Sequence, residues 1–177
     1  LKVLVTGSSG FIGKNLIVRL RELSTFEVLP FDREDPSAAL EVAVGQADAI
    51  VHLAGVNRPK EQHEFAEGNA ELTSHLCSLV ESRGRHVPLL LTSSIQAELD
   101  NPYGTSKRAA ESAVTELAQK TGNPVVVYRL PNVFGKWCLP NYNSVVATFC
   151  HNVANDLPIN VHDAGTKLCL VYIDDVI

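Results

Sequence analysis

Residues 101–107 read "NPYGTSK", which sets Tyr103 one helical turn before Lys107. Residues four apart share a helix face, so phenol and ammonium are neighbours. An adjacent ammonium favours phenolate and is expected to bring the tyrosine pKa down from about 10. A tyrosine tuned in this way can protonate a carbonyl oxygen while hydride reaches the carbon. Ser93 and Ser94 close the apolar run "VPLLLTSS", and one of the two hydroxyls could hold the same oxygen. A bare tyrosine–lysine spacing also fits a half-buried tyrosine beside a solvated lysine. The order of the surrounding signals favours catalysis.

The first of those signals is "VTGSSGFIG", with Gly7, Gly10 and Gly13 between an apolar run and an amphipathic stretch. Gly7 permits a tight turn, Gly10 lets the backbone approach a pyrophosphate, and Gly13 lets helix and strand pack closely. The free N–H groups of a helix start, here at Ser9, Phe11 and Ile12, suit the phosphates. A glycine pattern alone is weak, but after a strand and before a helix it is strong. Asp32 ends the next apolar run, 19 residues beyond Gly13, where a carboxylate binds adenosine ribose hydroxyls. Arg33 follows and could instead pair with a 2′-phosphate. The two residues point to opposite cofactors.

Several other residues could do chemistry. Arg58 and Lys136 are basic residues in loops near the expected cleft, and either could hold the diphosphate of a nucleotide sugar. Trp137 could stack on a uracil or simply pack. His52 lies within an apolar strand and reads as a packed core histidine rather than an acid or base. His162 and Asp163 form a metal pair only on paper, with no third ligand close in sequence, so no metal site is expected.

These residues need a scaffold. Strand signals fall at 2–7, 26–32, 47–55, 87–94, 124–130 and 167–173. Helical spacing falls at 10–23, 33–45, 63–84, 102–122 and 143–156. Pro102 and Gly122 stand at the start and end of their helix, where termination favours them. Alternating strands and helices, with strands apolar on both faces, predict an α/β fold, a Rossmann-like doubly wound parallel sheet. Its ligands bind at the carboxyl edge, where the glycine loop and the serines fall.

Composition narrows the class further. Hydrophobic residues make up 45% of the 177 and charged residues 20%, as in ordinary globular proteins. A formal net charge of -5 without basic clusters argues against nucleic acid. No run approaches a membrane span, and no signal peptide is visible. The four cysteines, Cys77, Cys138, Cys150 and Cys169, have neither disulfide nor zinc spacing, which suits free thiols in the cytoplasm.

"TGSSGFIG", "VHLAG", "SS", "YGTSK" and "PNVFG" together resemble the extended short-chain dehydrogenase/reductases, over nearly the whole chain. The resemblance implies that Ser94 is the catalytic serine beside Tyr103 and Lys107. It implies that Leu53, Ala54 and Gly55 line the cofactor and that Asn69 sits near the active site. It also places Pro131, Asn132 and Val133 near the nicotinamide, with Asn132 toward substrate. The stretches "HLAGVNRP", "SSIQAELDNPYGTSK" and "YRLPNVFGKWCLPNYNSVVATFC" are more specific. They are similar to the capsular-polysaccharide reductases of UDP-N-acetyl-L-fucosamine synthesis. That resemblance implies NADPH, with NADH as the alternative, and reduction at C4 of a UDP-2-acetamido-2,6-dideoxy-hexos-4-ulose for capsule or O-antigen. It further implies a homodimer in the full-length protein, and a C-terminal cupin that epimerises C3 with a metal. Residues 1–177 are thus expected to be one NAD(P)-binding domain, a fragment lacking its C-terminal substrate part and the cupin.

Departures from other relatives sharpen this. Sugar-nucleotide 4,6-dehydratases carry Asp-Glu after the strand-end threonine, where this chain has Ile95 and Gln96. The loop of eight residues from Ile95 to Pro102 is shorter than in the 4-epimerases. Two rivals stand beside the reductase: an NAD-dependent nucleotide-sugar 4-epimerase, and a non-enzymatic dinucleotide sensor on the same fold.

Overall fold

The structure is a computed structural model and describes residues 1–161 and 163–177. It comprises two compact units, Leu1–Leu130 and Pro131–Ile177. In the first, five parallel strands stand in the order β2-β1-β3-β4-β5: β1 Lys2–Thr6, β2 Glu27–Phe31, β3 Ala49–His52, β4 Leu89–Ser94 and β5 Val125–Leu130. Helices α1 (Phe11–Glu22), α2 (Ser37–Gln46), α3 (Leu72–Ser82) and α4 (Pro102–Thr121) make the crossovers. This is the doubly wound α/β sheet that the alternation predicts, and residues 33–45 supply the short connecting helix.

Strand parity assigns the faces. Leu4, Ile50, Leu89 and Leu91 point toward α2, α3 and α4 and form the larger core with Leu40, Val44, Leu76, Val80, Val114 and Leu117. Val3 and Val5 point the other way, onto Ile17, Leu16 and Leu20 of α1. Leu90 and Val126 share that second face by register. Helix α1 covers only part of it, and Val126 and Tyr128 are about half exposed, at 47% and 48%.

Strand order reverses at β1, between β2 and β3, so the loops after β1 and β3 diverge there. A ligand crevice opens at such a point. Two departures from regular structure flank it. Residues 63–84, expected as one regular helix, contain a π-helical turn at Ala66–Glu71 before α3 begins. Its cause is side-chain chemistry: Asn69 accepts from Val56 N and donates to Val56 O, each at 2.9 Å. The wide turn brings Gly68 against Val56, where an added Cβ would lie 2.4 Å from Cγ2. The second departure is a 3₁₀ turn at Ile95–Glu98, opened by Ser94 Oγ, which accepts from Gln96 N.

In the second unit, β6 (Asn132–Phe134) pairs in parallel with β7 (Leu170–Tyr172). Helix α5 (Val145–Ala154) starts at the Ser144 cap, and a single turn, α6, covers Ile173–Val176. The strand predicted at 167–173 therefore forms, but it pairs with β6 and not with the five-stranded sheet. β6 itself was not predicted, because three residues are too few to show a period.

Candidate active site

Helix α4 carries the central pair. Pro102 is its first residue and Asn101 its cap, with Asn101 Oδ1 accepting from Gly104 N at 2.8 Å. Such a cap stabilises a helix start by ~1 kcal/mol. Gly122 ends the helix in the left-handed conformation, φ +73°. Gly104 is fixed by packing, since a Cβ there would lie 2.4 Å from both Gln96 O and Leu99 O. The helix therefore sits directly on the turn that follows β4, which sets Tyr103 beside Ser94.

The Tyr103 hydroxyl lies beside Ser94, and its ring meets Phe65 at a centroid distance of 5.6 Å. Burial pushes the Tyr103 pKa up, and Ser94 only partly opposes this. This corrects the expected lowering by Lys107. Burial sets the direction, and the Lys107 ammonium is directed to the backbone, with its Nζ donating to Thr92 O at 2.9 Å. Lys107 is itself buried, and desolvation brings its pKa down to about 8, with Glu111 pulling the other way. The two serines divide cleanly. Ser94 meets Tyr103, whereas Ser93 is buried and donates to Glu111.

Across from α4, the glycine loop joins β1 to α1. Gly7 has φ +70°, and a Cβ on it would stand 2.8 Å from Ala54 N. A Cβ on Gly13 would reach within 2.2 Å of Gly7 O. Gly10 differs: its Cβ would meet only Gly7 O, at 3.1 Å. Gly10 caps α1 with extended backbone and no side-chain bond. The first-turn N–H groups, from Phe11 onward, thus lack intrahelical acceptors. An open cradle ending on a helix start suits a diphosphate, so these residues fit a dinucleotide.

Asp32 follows β2 and folds back on this loop, accepting from Ser8 Oγ and from Ser9 N (2.9 Å). Arg33 is 78% exposed and reaches Glu64 at 3.9 Å. Leu53, Ala54 and Gly55 form the loop after β3, held by Leu53 N to Thr6 O and Ala54 N to Thr6 Oγ1. Arg58 lies exposed farther along that loop. Pro131, Asn132, Val133 and Lys136 belong to the second unit. There Asn132 N donates to Cys169 O, and Lys136 pairs with Asp174 at 2.8 Å. Trp137 is exposed with φ +65°. His162 lies outside the described residues, and Asp163 caps its own turn by accepting from Gly165 N and Thr166 Oγ1.

His52 is a core residue, as its strand position predicts. Its Nδ1 meets Thr6 Oγ1 at 2.6 Å and its Nε2 meets Thr73 Oγ1 at 2.9 Å. Thr73 already donates to Asn69 O, so it accepts from His52 Nε2–H. Burial, with the nearby Lys107 charge, drives the ring's pKa down to about 3 and so keeps it neutral near pH 7. Asn69 is buried and donates to Ser106 Oγ, which donates to Tyr103 O. Hydrogen bonds thus run from the loop after β3 to the backbone of the tyrosine. Glu111, Arg129 and Ser106 were not singled out from the sequence. Glu111 sits four residues after Lys107, and that spacing was the available signal.

The family model for NAD dependent epimerases and dehydratases matches residues 3–177. The chain belongs to the NAD dependent epimerase/dehydratase family. Membership brings a nicotinamide dinucleotide as the cofactor class. The chain is 55% identical to the UDP-2-acetamido-2,6-beta-L-arabino-hexul-4-ose reductase of Pseudomonas aeruginosa, over 100% of its own length and 48% of that protein. Among solved structures it is similar to the capsular polysaccharide assembling protein CapF of Staphylococcus aureus. That match has a TM-score of 0.88 and 42% identity, over 99% of this chain and 46% of the other. It also resembles the UDP-glucuronic acid 4-epimerase of Bacillus cereus in fold, with TM-score 0.85 and 19% identity over 99% of this chain and 70% of that one. The chain spans about half the length of the reductase and of CapF. No helix among the described residues of this family member is long and apolar enough to cross a membrane.

Proposed function

We propose that the chain carries the dinucleotide-binding and catalytic portion of an NADPH-dependent reductase. Its substrate is the C4 keto group of a UDP-2-acetamido-2,6-dideoxy-hexos-4-ulose, on the way to capsular or O-antigen polysaccharide. The observation that carries the chemistry is the meeting of Tyr103, Ser94 and buried Lys107 at the carboxyl edge of β4. The substrate class rests on the 55% identity to the Pseudomonas reductase.

In this reading the dinucleotide supplies hydride to C4. Ser94 Oγ and Tyr103 Oη hold the keto oxygen. Tyr103 gives that oxygen its proton, and a tyrosine kept protonated by burial is in the right state to do so. Lys107 holds the nicotinamide ribose and keeps positive charge behind the tyrosine. Gly7 to Gly13 cradle the diphosphate, and Leu53 to Gly55 line the dinucleotide. Arg58, Asn132 and Lys136 are assigned to the nucleotide sugar, and Pro131 and Val133 to the nicotinamide.

The preference for NADPH over NADH rests on two features. The Asp32 carboxylate is already engaged by Ser8 and Ser9, and the next residue, Arg33, is largely exposed with only a 3.9 Å approach to Glu64. Fluorescence titration with both dinucleotides tests this. NADPH is expected to bind the more tightly, and Arg33→Ala to weaken it about tenfold while leaving NADH little changed. Tighter binding of NADH by the unaltered chain would overturn the preference. For the reaction, reduced dinucleotide consumption is followed with the UDP-4-keto-sugar. Reduction of other sugar-nucleotide ketones in its place would overturn the substrate class.

A further inference from the structure

One carboxylate touches three elements around the site. Glu111 lies on α4, one turn beyond Lys107 and two beyond Tyr103. Its Oε1 accepts from Ser93 Oγ at 2.5 Å and from Arg129 Nε at 2.9 Å, and its Oε2 accepts from Arg129 Nη2 at 2.7 Å. Ser93 and Arg129 are register partners on β4 and β5. The Glu111 side chain is only 14% exposed, and Arg129 reaches outward to Glu98 of the 3₁₀ turn at 3.3 Å.

We propose that Glu111, braced by Arg129, is a positioning residue for the active site. Its carboxylate ties the serine-bearing end of β4 to the helix that carries Tyr103 and Lys107, and it is the negative charge that Lys107 faces. The next residue after Ser93 is Ser94, so fixing the Ser93 side chain fixes where the Ser94 hydroxyl starts. This inference rests on the catalytic roles proposed above for Ser94, Tyr103 and Lys107.

The charges around Lys107 support the second half. From α4 it faces Tyr103 and Glu111, from β3 the neutral His52, and from β4 only the Thr92 carbonyl. From β5, Arg129 stands behind Glu111, with Glu98 beyond it. Burial lowers the Lys107 pKa to about 8, and Glu111 is what opposes that fall. The arginine in turn holds the Glu111 carboxyl below the usual carboxylate range, so its charge persists well into acid. Neutralising Glu111 would leave Lys107 with the Arg129 cation nearby and no anion between them.

Trace acetylation of the chain across pH, read by mass spectrometry on the Lys107 peptide, tests this without requiring turnover. Glu111→Gln is expected to move the Lys107 half-point down by about half a unit or more, which raises its labelling near neutral pH about threefold. Glu98→Gln, which removes only the outer partner, is expected to leave the curve in place. In the keto-sugar assay the descending alkaline limb of kcat should move down by the same interval as the labelling curve. A merely structural contact would lower stability without moving either curve. If Glu111→Gln does not fold, Glu111→Asp is read in its place and is expected to shift the half-point in the same direction by less. A labelling curve superimposed on that of the unaltered chain overturns the proposal. Loss of keto-sugar turnover in the unaltered protein overturns the reductase reading instead, and leaves the labelling result standing.

Discussion

Tyr103 and Lys107 divide the protonation work that the proposed reaction requires. Replacing Tyr103 by Phe keeps the ring against Phe65 and removes only the proton. Keto-sugar reduction is expected to fall by about a hundredfold or more, with dinucleotide affinity within about twofold, measured by steady-state kinetics and fluorescence titration. The pH profile follows Lys107. Its charged form is lost as pH rises through about 8, so kcat should decline above that point. A profile flat to the usual lysine range would show that Lys107 charge is not used. At this scale the sequence announced the residues through spacing: four apart for the pair, three apart for the glycines. It did not announce their environment. The direction of the Tyr103 shift depends on burial by Phe65 and the turn after β4, and no spacing encodes that. Asn69 and Arg129 were equally silent as partners, because Val56, Ser106 and Glu111 lie 13, 37 and 18 residues from them.

Elements hold these residues through close backbone contacts more than through side chains. Gly104 shows the consequence most sharply, since it lets α4 lie against Gln96 O and Leu99 O. Gly104→Ala should push α4 off the 3₁₀ turn, cost about 1–3 kcal/mol in urea unfolding, and separate Tyr103 from Ser94. Gly13→Ala should cost a similar amount and also weaken dinucleotide binding, because the clash falls on Gly7 O within the loop. Regular elements were readable from their periods, including both ends of α4. The π turn at Ala66–Glu71 was not, because a local widening of the helix leaves the apolar spacing of α3 intact and answers only to the Asn69–Val56 bonds. The pairing of 167–173 was unreadable for a different reason. A strand pattern reports its faces but not its neighbour, and here the neighbour is β6.

Across the molecule, His52 links stability to acidity. Its folded pKa is about 3 against an ordinary value near 6.5, so in that window the unfolded chain binds a proton that the native one refuses. Stability should therefore fall as pH drops, by about 2 kcal/mol between neutral pH and about pH 5 at ~1.4 kcal/mol per unit. His52→Gln should be less stable at neutral pH yet show a flatter dependence, as urea unfolding at the two pH values would reveal. The sheet order β2-β1-β3-β4-β5 also has a consequence in time. A ribosome delivers β1 and then β2 by residue 31, β3 by residue 52, β4 by 94 and β5 by 130. Each arriving strand finds the edge it must join already synthesised: β3 beside β1, β4 beside β3, β5 beside β4. No strand waits for a later one, and no gap must be held open for insertion. Synthesis at ~5–20 residues per second allows seconds between arrivals, ample for each docking step. The sheet can thus be assembled in the order in which it is translated, with one growing edge to protect at any moment.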